Sequence, residues 1–485
     1  MHTESKSRLG RFRKVPIAAQ LVGIFALAEA SASFAAATWT VISCSNATTG
    51  AGSSGTLRYA LTNAASGDTI DMTGLVCSTI EMNEPDTTIA PLPIPSGTSS
   101  SPITVLGPGR DKLQITGNDS VRIFFHPAQV ELYTPNLVLE DMTLNYGTAA
   151  YDPVTFGNGG CINTSGNVTL DRVTVTGCHA AGNGGGIRAN AVTLDHATVK
   201  AGLAAKAGGG IFTTIATMTS SVVTGNEAAG NGGGIYGNNV SLTDSTVSYN
   251  TAGFGSTGKQ GGGMFVGGNL TLTRSTVDHN LVFGGQGGIT AYNASPSAFT
   301  ATIIDSTISS NYASSAVGGI YVNSGIVKVY NSTIAFNHAS LDSAEFSAGM
   351  ATGNFYGDLD LRFHSALITD NFGGDTPHDF SFANGVGHSA TFSGTNNFAR
   401  HPDFAAGVFN HTGGCPRLGP LRDNGGPTRT NALLSGSQAI NVGDNVDSLP
   451  NDQRGAPFAR AFGVADIGAY EVQQEIVFNT GFDDC

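Results

Sequence analysis

Four segments of eleven residues decide the reading: VTLDRVTVTGC (168–178), VTLDHATVKAG (192–202), ATMTSSVVTGN (216–226) and VSLTDSTVSYN (240–250), each beginning 24 residues after the last. Four more keep that length, namely LTLTRSTVDHN (270–280), ATIIDSTISSN (301–311), VKVYNSTIAFN (327–337) and LRFHSALITDN (361–371), and end 30, 31, 26 and 34 residues after their predecessors. The spacing varies between units and not within them, so insertions fall in loops. The third position is apolar throughout (Leu170, Leu194, Met218, Leu242, Leu272, Ile303, Val329, Phe363). So is the eighth (Val175, Val199, Val223, Val247, Val277, Ile308, Ile334, Ile368). The first position is Val, Ala or Leu, and the second and fourth are mostly polar. Such alternation has the period of a strand with one buried face, not of a helix.

A second signature precedes each unit: GNGGCI (157–162), GNGGGI (182–187), AGGGI (207–211), GNGGGIY (230–236), QGGGMF (260–265), QGGI (286–289), VGGIYV (317–322) and SAGM (347–350). Consecutive glycines admit backbone angles at which a Cβ would clash, and the apolar residue after them opens a new strand. Each period therefore holds two or three short strands between turns. A 24-residue unit cannot bury its own apolar face. Stacked at ~4.8 Å, each strand bonds to its equivalent one turn away and the units share one core. The expected fold is all-β, a right-handed parallel β-helix. Small residues at the sixth position (Ala197, Ser221, Ser245, Ser275, Ser306, Ser332, Ala366) suit an inward bend. Asn226, Asn250, Asn280, Asn311, Asn337 and Asn371 close six units in a row, a structural ladder in which amides bond to amides and the residue type tolerates left-handed turns. A β-propeller would need blades of roughly 40–50 residues with a tryptophan signature, and Trp39 is the only tryptophan.

Composition agrees with this fold. Glycine supplies 66 of 485 residues, about twice its usual ~7% share, and charged residues make up 12%, half the ordinary ~25%. Five of the 23 Lys and Arg residues (Lys6, Arg8, Arg11, Arg13, Lys14) lie in the first fourteen positions and no basic cluster follows. That excludes nucleic acid as a partner. The apolar run Val15 to Ala28 and the small-residue sites Ala30-Ser31-Ala32 or Ala35-Ala36-Ala37 complete a secretory signal over 1–37. Its removal leaves 18 Lys plus Arg against 34 Asp plus Glu, an acidic mature chain in which no other run is long enough to span a membrane. Val41-Ile42-Ser43-Cys44 has the look of a lipoprotein cleavage box but lies about thirty residues beyond the basic cluster. The six cysteines fit an oxidising compartment, and the simplest of their fifteen connectivities pairs sequence neighbours: Cys44 with Cys77, Cys161 with Cys178, Cys415 with Cys485. They lack zinc-site spacings, so no metal or cofactor is expected.

A solenoid needs covers at its ends. Leu57, Ala60, Leu61 and Ala64 recur at helical spacing in SGTLRYALTNAASGDTIDM (54–72), a candidate N-terminal cap helix. The run GTLRYALTNAASGDTI resembles the start of bacterial CSLREA-type surface proteins, and the alternation of GGGI with a strand closing in Asn resembles the repeats of chlamydial polymorphic outer membrane proteins. LGPLRDNGGPTRTNALLSGSQAINVGD (418–444) and DQRGAPFARAFGVADIGAYE (452–471) resemble the choice-of-anchor Q region, in which a right-handed parallel β-helix precedes one of several surface-anchoring tails. The ending QQEIVFNTGFDDC (473–485) resembles short Phe-Gly-Phe-acidic termini of exported gammaproteobacterial proteins. The resemblance implies a secreted or surface β-helix and supplies no catalytic residue. The expected organisation is a signal peptide (1–37), a cap and irregular coils (38–136), regular repeats (137–371), a C-terminal module (372–472) and a tail (473–485). An autotransporter would need over ~150 residues of barrel after the repeats, and 114 follow Asn371.

Fold does not fix function, and β-helices also carry polysaccharide lyases and pectin-type hydrolases. A hydrolase of that kind needs paired carboxylates ~5–9 Å apart. Asp171 and Asp195, one turn apart at the fourth position, are the available pair, and Asp244 and Asp305 recur at the fifth. The signatures of those hydrolases (Asn-Thr-Asp, Asp-Asp within the repeats, Gly-His-Gly, Arg-Ile-Lys) are missing. Asp171, Asp195, Arg172 and Arg274 therefore read as solvent-facing strand residues, and Asp423, Asp444, Asp447, Asp452 and Asp466 as turn caps. His179, His196, His279 and His338 read as surface residues on separate coils. The expectation is an exported monomer, extracellular or at the bacterial surface or outer membrane, with a structural, adhesive or glycan-contacting role against cell-surface glycans or a neighbouring surface. No catalytic residue is assigned, and the alternative is a pectin-lyase-like depolymerase.

Overall fold

The computed structural model describes residues 36–82, 90–95, 100–126, 136–153, 155–255, 258–292, 299–341, 348–403 and 407–473. The expected signal peptide lies outside them, except its last two positions, and so do Cys485 and all but the first residue of the tail. One coil shows the plan. Asn167–Asp171, Thr174–Thr176, His179–Ala180 and Ile187–Arg188 are four strands separated by bends, and the chain then enters Ala191–Asp195 directly above Asn167–Asp171. Pairing is parallel and in register: Val168 lies beside Val192, Leu170 beside Leu194, Asp171 beside Asp195. Repeated along the axis, this builds four sheets whose described strands number 15, 13, 11 and 10. We call them the wide sheet (holding Asn167–Asp171), the side sheet (Thr174–Thr176), the back sheet (Ile187–Arg188) and the narrow sheet (His179–Ala180). The molecule is thus a parallel β-helix. From Leu137 onward each regular coil carries four strands instead of the two or three expected, because two-residue strands such as His179–Ala180 leave no alternation to read.

The third and eighth positions of every unit point inward, and each of these side chains is at most 1% exposed. The bends between wide and side sheets, and between side and narrow sheets, each turn on one residue at positive φ, the fifth and the tenth of the unit: Arg172, Ser220 and Asp244 at the first, Ala201, Tyr249 and His279 at the second, with φ of 46–55°. A non-glycine residue there is strained, and the ladder bonds on either side hold it. The asparagines do not make this turn, contrary to the expectation that they favour left-handed angles; the residue before each one does. They point inward instead, 0–1% exposed. Asn226 Nδ2 donates to Asn250 Oδ1 at 2.9 Å, Asn250 to Asn280 at 2.9 Å, Asn280 to Asn311 at 2.9 Å, Asn311 to Asn337 at 3.0 Å and Asn337 to Asn371 at 2.9 Å. Each Oδ1 also accepts the backbone N–H of the preceding asparagine. The ladder ends on a carboxylate: Asn371 donates to Asp379 Oδ1 at 3.0 Å. A parallel row joins Ser221, Ser245, Ser275, Ser306 and Ser332, each hydroxyl accepting the N–H of the sixth residue one coil earlier.

The N-terminal end is covered by α1 (Leu57–Asn63), whose N-cap Thr56 accepts from Tyr59 N–H and whose Leu57, Ala60 and Leu61 are buried. Cys44 is bonded to Cys77 and Cys161 to Cys178, with Cα separations of 6.4 and 5.5 Å. Cys178 takes the ladder position in its coil. Cys415 is also in a disulfide.

Coils continue beyond Asn371. Phe380–Ala383, Ala390–Thr395, Phe398–Ala399 and His411–Thr412 still pair parallel with the sheets, so the expected boundary at 372 moves to about Cys415. From there the chain reverses and lies on the outer face of the side sheet. Its hairpin, Leu418–Arg422 with Thr430–Leu433, reaches back to the coil of Thr276, whose hydroxyl donates to Arg429 O at 2.7 Å. Gly468 N–H then returns to Ser365 O at 2.9 Å.

Candidate functional site

Two places gather chemistry-bearing side chains. The first is the Asp171–Asp195 ledge, where the wide sheet bends. Register stacks the two aspartates one coil apart, and His196 Nδ1 lies 2.7 Å from Asp195 Oδ1. One ligand atom from each of Asp171, Asp195 and His196 falls within 4.8 Å of the others. A cation already occupies this corner. The Arg172 guanidinium forks onto Asp141, with Nε to Oδ1 and Nη2 to Oδ2 both at 2.9 Å, and Nη1 pairs with Asp171; Glu140 lies 3.5 Å away. The Asp141 bond holds this guanidinium above its ordinary pKa. The ledge is a solvated ion cluster with its positive charge built in.

The second is a cleft of about 460 Å³ where the open part of the side sheet meets the tip of the C-terminal hairpin, lined by residues that include Tyr249, Asp278, Asp423 and Arg429. Outward-facing side-sheet residues of the earlier coils include half-buried and exposed ones (Thr174, Thr198, Lys200, Thr246). From Thr276 onward they are covered: Thr276, Asp278, Thr307, Ser309 and Thr369 are 0% exposed. The cleft lies at that change. Its wall is pinned, since Thr428 Oγ1 donates to Arg274 O at 3.0 Å and Gln453 Nε2 donates to Thr276 Oγ1 and Thr428 Oγ1, both at 2.9 Å. Asp278 sits under the hairpin, with Oδ1 held by His279 Nδ1 at 2.7 Å and Oδ2 without a hydrogen-bond partner among the described residues.

The remaining sequence candidates fall into structural roles. Asp244 receives a two-pronged bond from Arg274, both contacts at 2.8 Å. Asp305 is buried beside Arg460, 3.4 Å away, and burial pushes its carboxyl up to about 7. Arg460 is itself 0% exposed and reaches Glu471 at 3.2 Å and the carbonyls of Asp466 and Gly468, both at 2.9 Å. Burial raises Glu471 to about 7 as well. The C-terminal aspartates divide: Asp423 caps Gly425 N–H, whereas Asp452 and Asp466 are buried and accept N–H groups of Arg454, Glu471, Asn441 and Val472. Of the histidines, His179 is exposed, and His338 stacks on Tyr312 with centroids 5.2 Å apart. Sequence reasoning missed Asp278, Tyr249, Arg429 and Arg460, which come together only when the hairpin and the chain after it are laid over the coils. The chain matches no family model, no curated protein and no solved structure. No helix among the described residues is long and apolar enough to cross a membrane.

Proposed function

We propose that this chain is an exported, surface-located or released β-helix that acts as a rigid glycan-contacting or adhesive element. The supporting observation is the open outer face of the wide sheet. Parallel register places Thr169, Thr193, Thr217, Ser241, Thr271 and Thr302 in one row along the axis, at the ~4.8 Å spacing of adjacent strands. Hydroxyls repeated on a stiff support can meet a repeating polymer at many points, and multivalent contact converts weak single contacts into avidity. The disulfides fit an oxidising compartment.

A depolymerase reading draws on the adjacency of Asp171, Asp195 and His196. Incubation of the purified mature chain with acidic and neutral polysaccharides, alongside sedimentation with intact bacterial cells, separates the two. The expected result is cell or polysaccharide binding without chain shortening. Shortening that D171N or D195N abolishes overturns it.

A further inference from the structure

We infer that the cleft between Tyr249 and the hairpin tip is a binding site for a neutral saccharide; this rests on the glycan-contacting reading and gives it an address. Tyr249 sits at a positive-φ bend, φ 55°, which projects its ring outward, 50% exposed. One face of the ring is backed by His279, with centroids 4.8 Å apart and planes at 20°. That separation equals the spacing of adjacent coils, so the stack runs along the solenoid axis and the other face of Tyr249 looks toward the preceding coil. The equivalent residue there is Gly225, and a Cβ built on it would meet nothing within 4 Å among the described residues. The ring therefore has a supported back and an uncovered front. An aromatic face of this kind suits the C–H face of a pyranose.

Polar groups line the same cleft. Asp278, 0% exposed, lines the cleft, and its Oδ2 lacks a hydrogen-bond partner among the described residues. A buried acceptor left open in a native fold marks a place where a donor from outside is expected. Asp423 supplies a second carboxylate, its Oδ1 taking Gly425 N–H at 2.9 Å. Arg429 is exposed at the hairpin tip and contributes a donor fork. A cleft of about 460 Å³ falls in the range of small-ligand sites, where a few placed polar groups fix orientation. Hydroxyls donate to the carboxylates and accept from the guanidinium. Two carboxylates against one guanidinium, on an acidic chain, disfavour a uronate polymer.

Calorimetric titration of the full mature chain with hexasaccharides of glucose, mannose and xylose, and with hexagalacturonate, tests this. At least one neutral hexasaccharide is expected to bind saturably and more tightly than hexagalacturonate. Y249A and R429A, both surface changes that leave the thermal midpoint in place, are each expected to weaken that binding about tenfold, and D278N to weaken it further. Undiminished binding by Y249A and R429A overturns the site while leaving the glycan-contacting role standing. Tighter binding of hexagalacturonate also overturns the site. Absence of binding by every sugar, together with absence of cell binding, overturns both.

Discussion

The repeats and the fold-back that covers them bury polar groups by opposite means. In the coils, Asn280 is satisfied by Asn250 and Asn311, copies of itself one coil away on each side. In the fold-back, Arg460 is paired with Asp305, 155 positions earlier, and with Glu471. The repeat solution needs only that equivalent residues recur. The other needs particular residues brought together from distant parts of the chain, and it places full charges in the interior. A buried charge that loses its partner is costly, whereas a neutral ladder that loses one rung keeps the others. The contrast predicts where damage spreads.

The largest effect is expected from R460A. It leaves the buried carboxylates of Asp305 and Glu471 without the guanidinium, at a cost of about 3–5 kcal/mol. Because the contacts join the fold-back to the coils, hydrogen exchange should accelerate over 415–472 while Thr198–Lys200 and Val222–Thr224 keep their protection. Equal loss in both regions would show that the fold-back and the solenoid unfold as one unit.

N280A is the counterpart in the repeats. It removes the acceptor for both the N–H and the Nδ2 of Asn250, and the Nδ2 retains its bond to Val223 O at 3.0 Å. Leaving one buried donor unpaired costs about 1–3 kcal/mol. The increase in exchange should centre on the coils of Asn250 and Asn311 and leave 415–472 unchanged. An effect on denaturation midpoint as large as that of R460A would mean that the ladder is cooperative along its length.

How much of this was legible follows the same division. The interior positions, the stacking and the asparagine row were readable because Leu170 and Leu194, or Asn226 and Asn250, announce themselves by recurrence. The Cys161–Cys178 pair was readable because its members lie close in sequence. The left-handed turns were not: the tenth position holds Gly177, Ala201, Tyr249 and His279, types that share only a backbone angle. The Tyr249 cleft was also out of reach. Asp278 reads as one polar residue in a strand until Arg429, 151 positions later, is laid over its coil. Asp305 looked like a repeat of Asp244, yet Arg274 meets Asp244 at the surface while Arg460 buries Asp305. Identical positions in a repeat acquire different chemistry once something that does not repeat is packed on them.

The smallest effect concerns the junction of the two regimes, where the amide ladder ends on a charge. Asp379 is 0% exposed and accepts the N–H and Nδ2 of Asn371 and the N–H of His401. Burial outweighs these bonds and pushes its carboxyl up to about 7. An acid with a raised folded pKa binds its proton more tightly when folded, so its contribution to stability is fully present below the ordinary carboxylate value. That contribution is lost progressively as pH climbs from there through 7. Asp305 and Glu471, raised to about 7 by burial, act in the same direction where the fold-back meets the coils. The thermal midpoint should therefore be lower at pH 8 than at pH 5. D379N replaces the ionisable rung with another amide: it gives up the bond from His401 N–H, which lowers the midpoint at both pH values, but it cannot ionise. Its midpoint should move less between pH 5 and pH 8 than that of the parent, the remaining slope belonging to Asp305, Glu471 and Asp466, whose carboxyl burial also raises. A slope identical to the parent's would place all of the pH response in the fold-back and none at the end of the ladder.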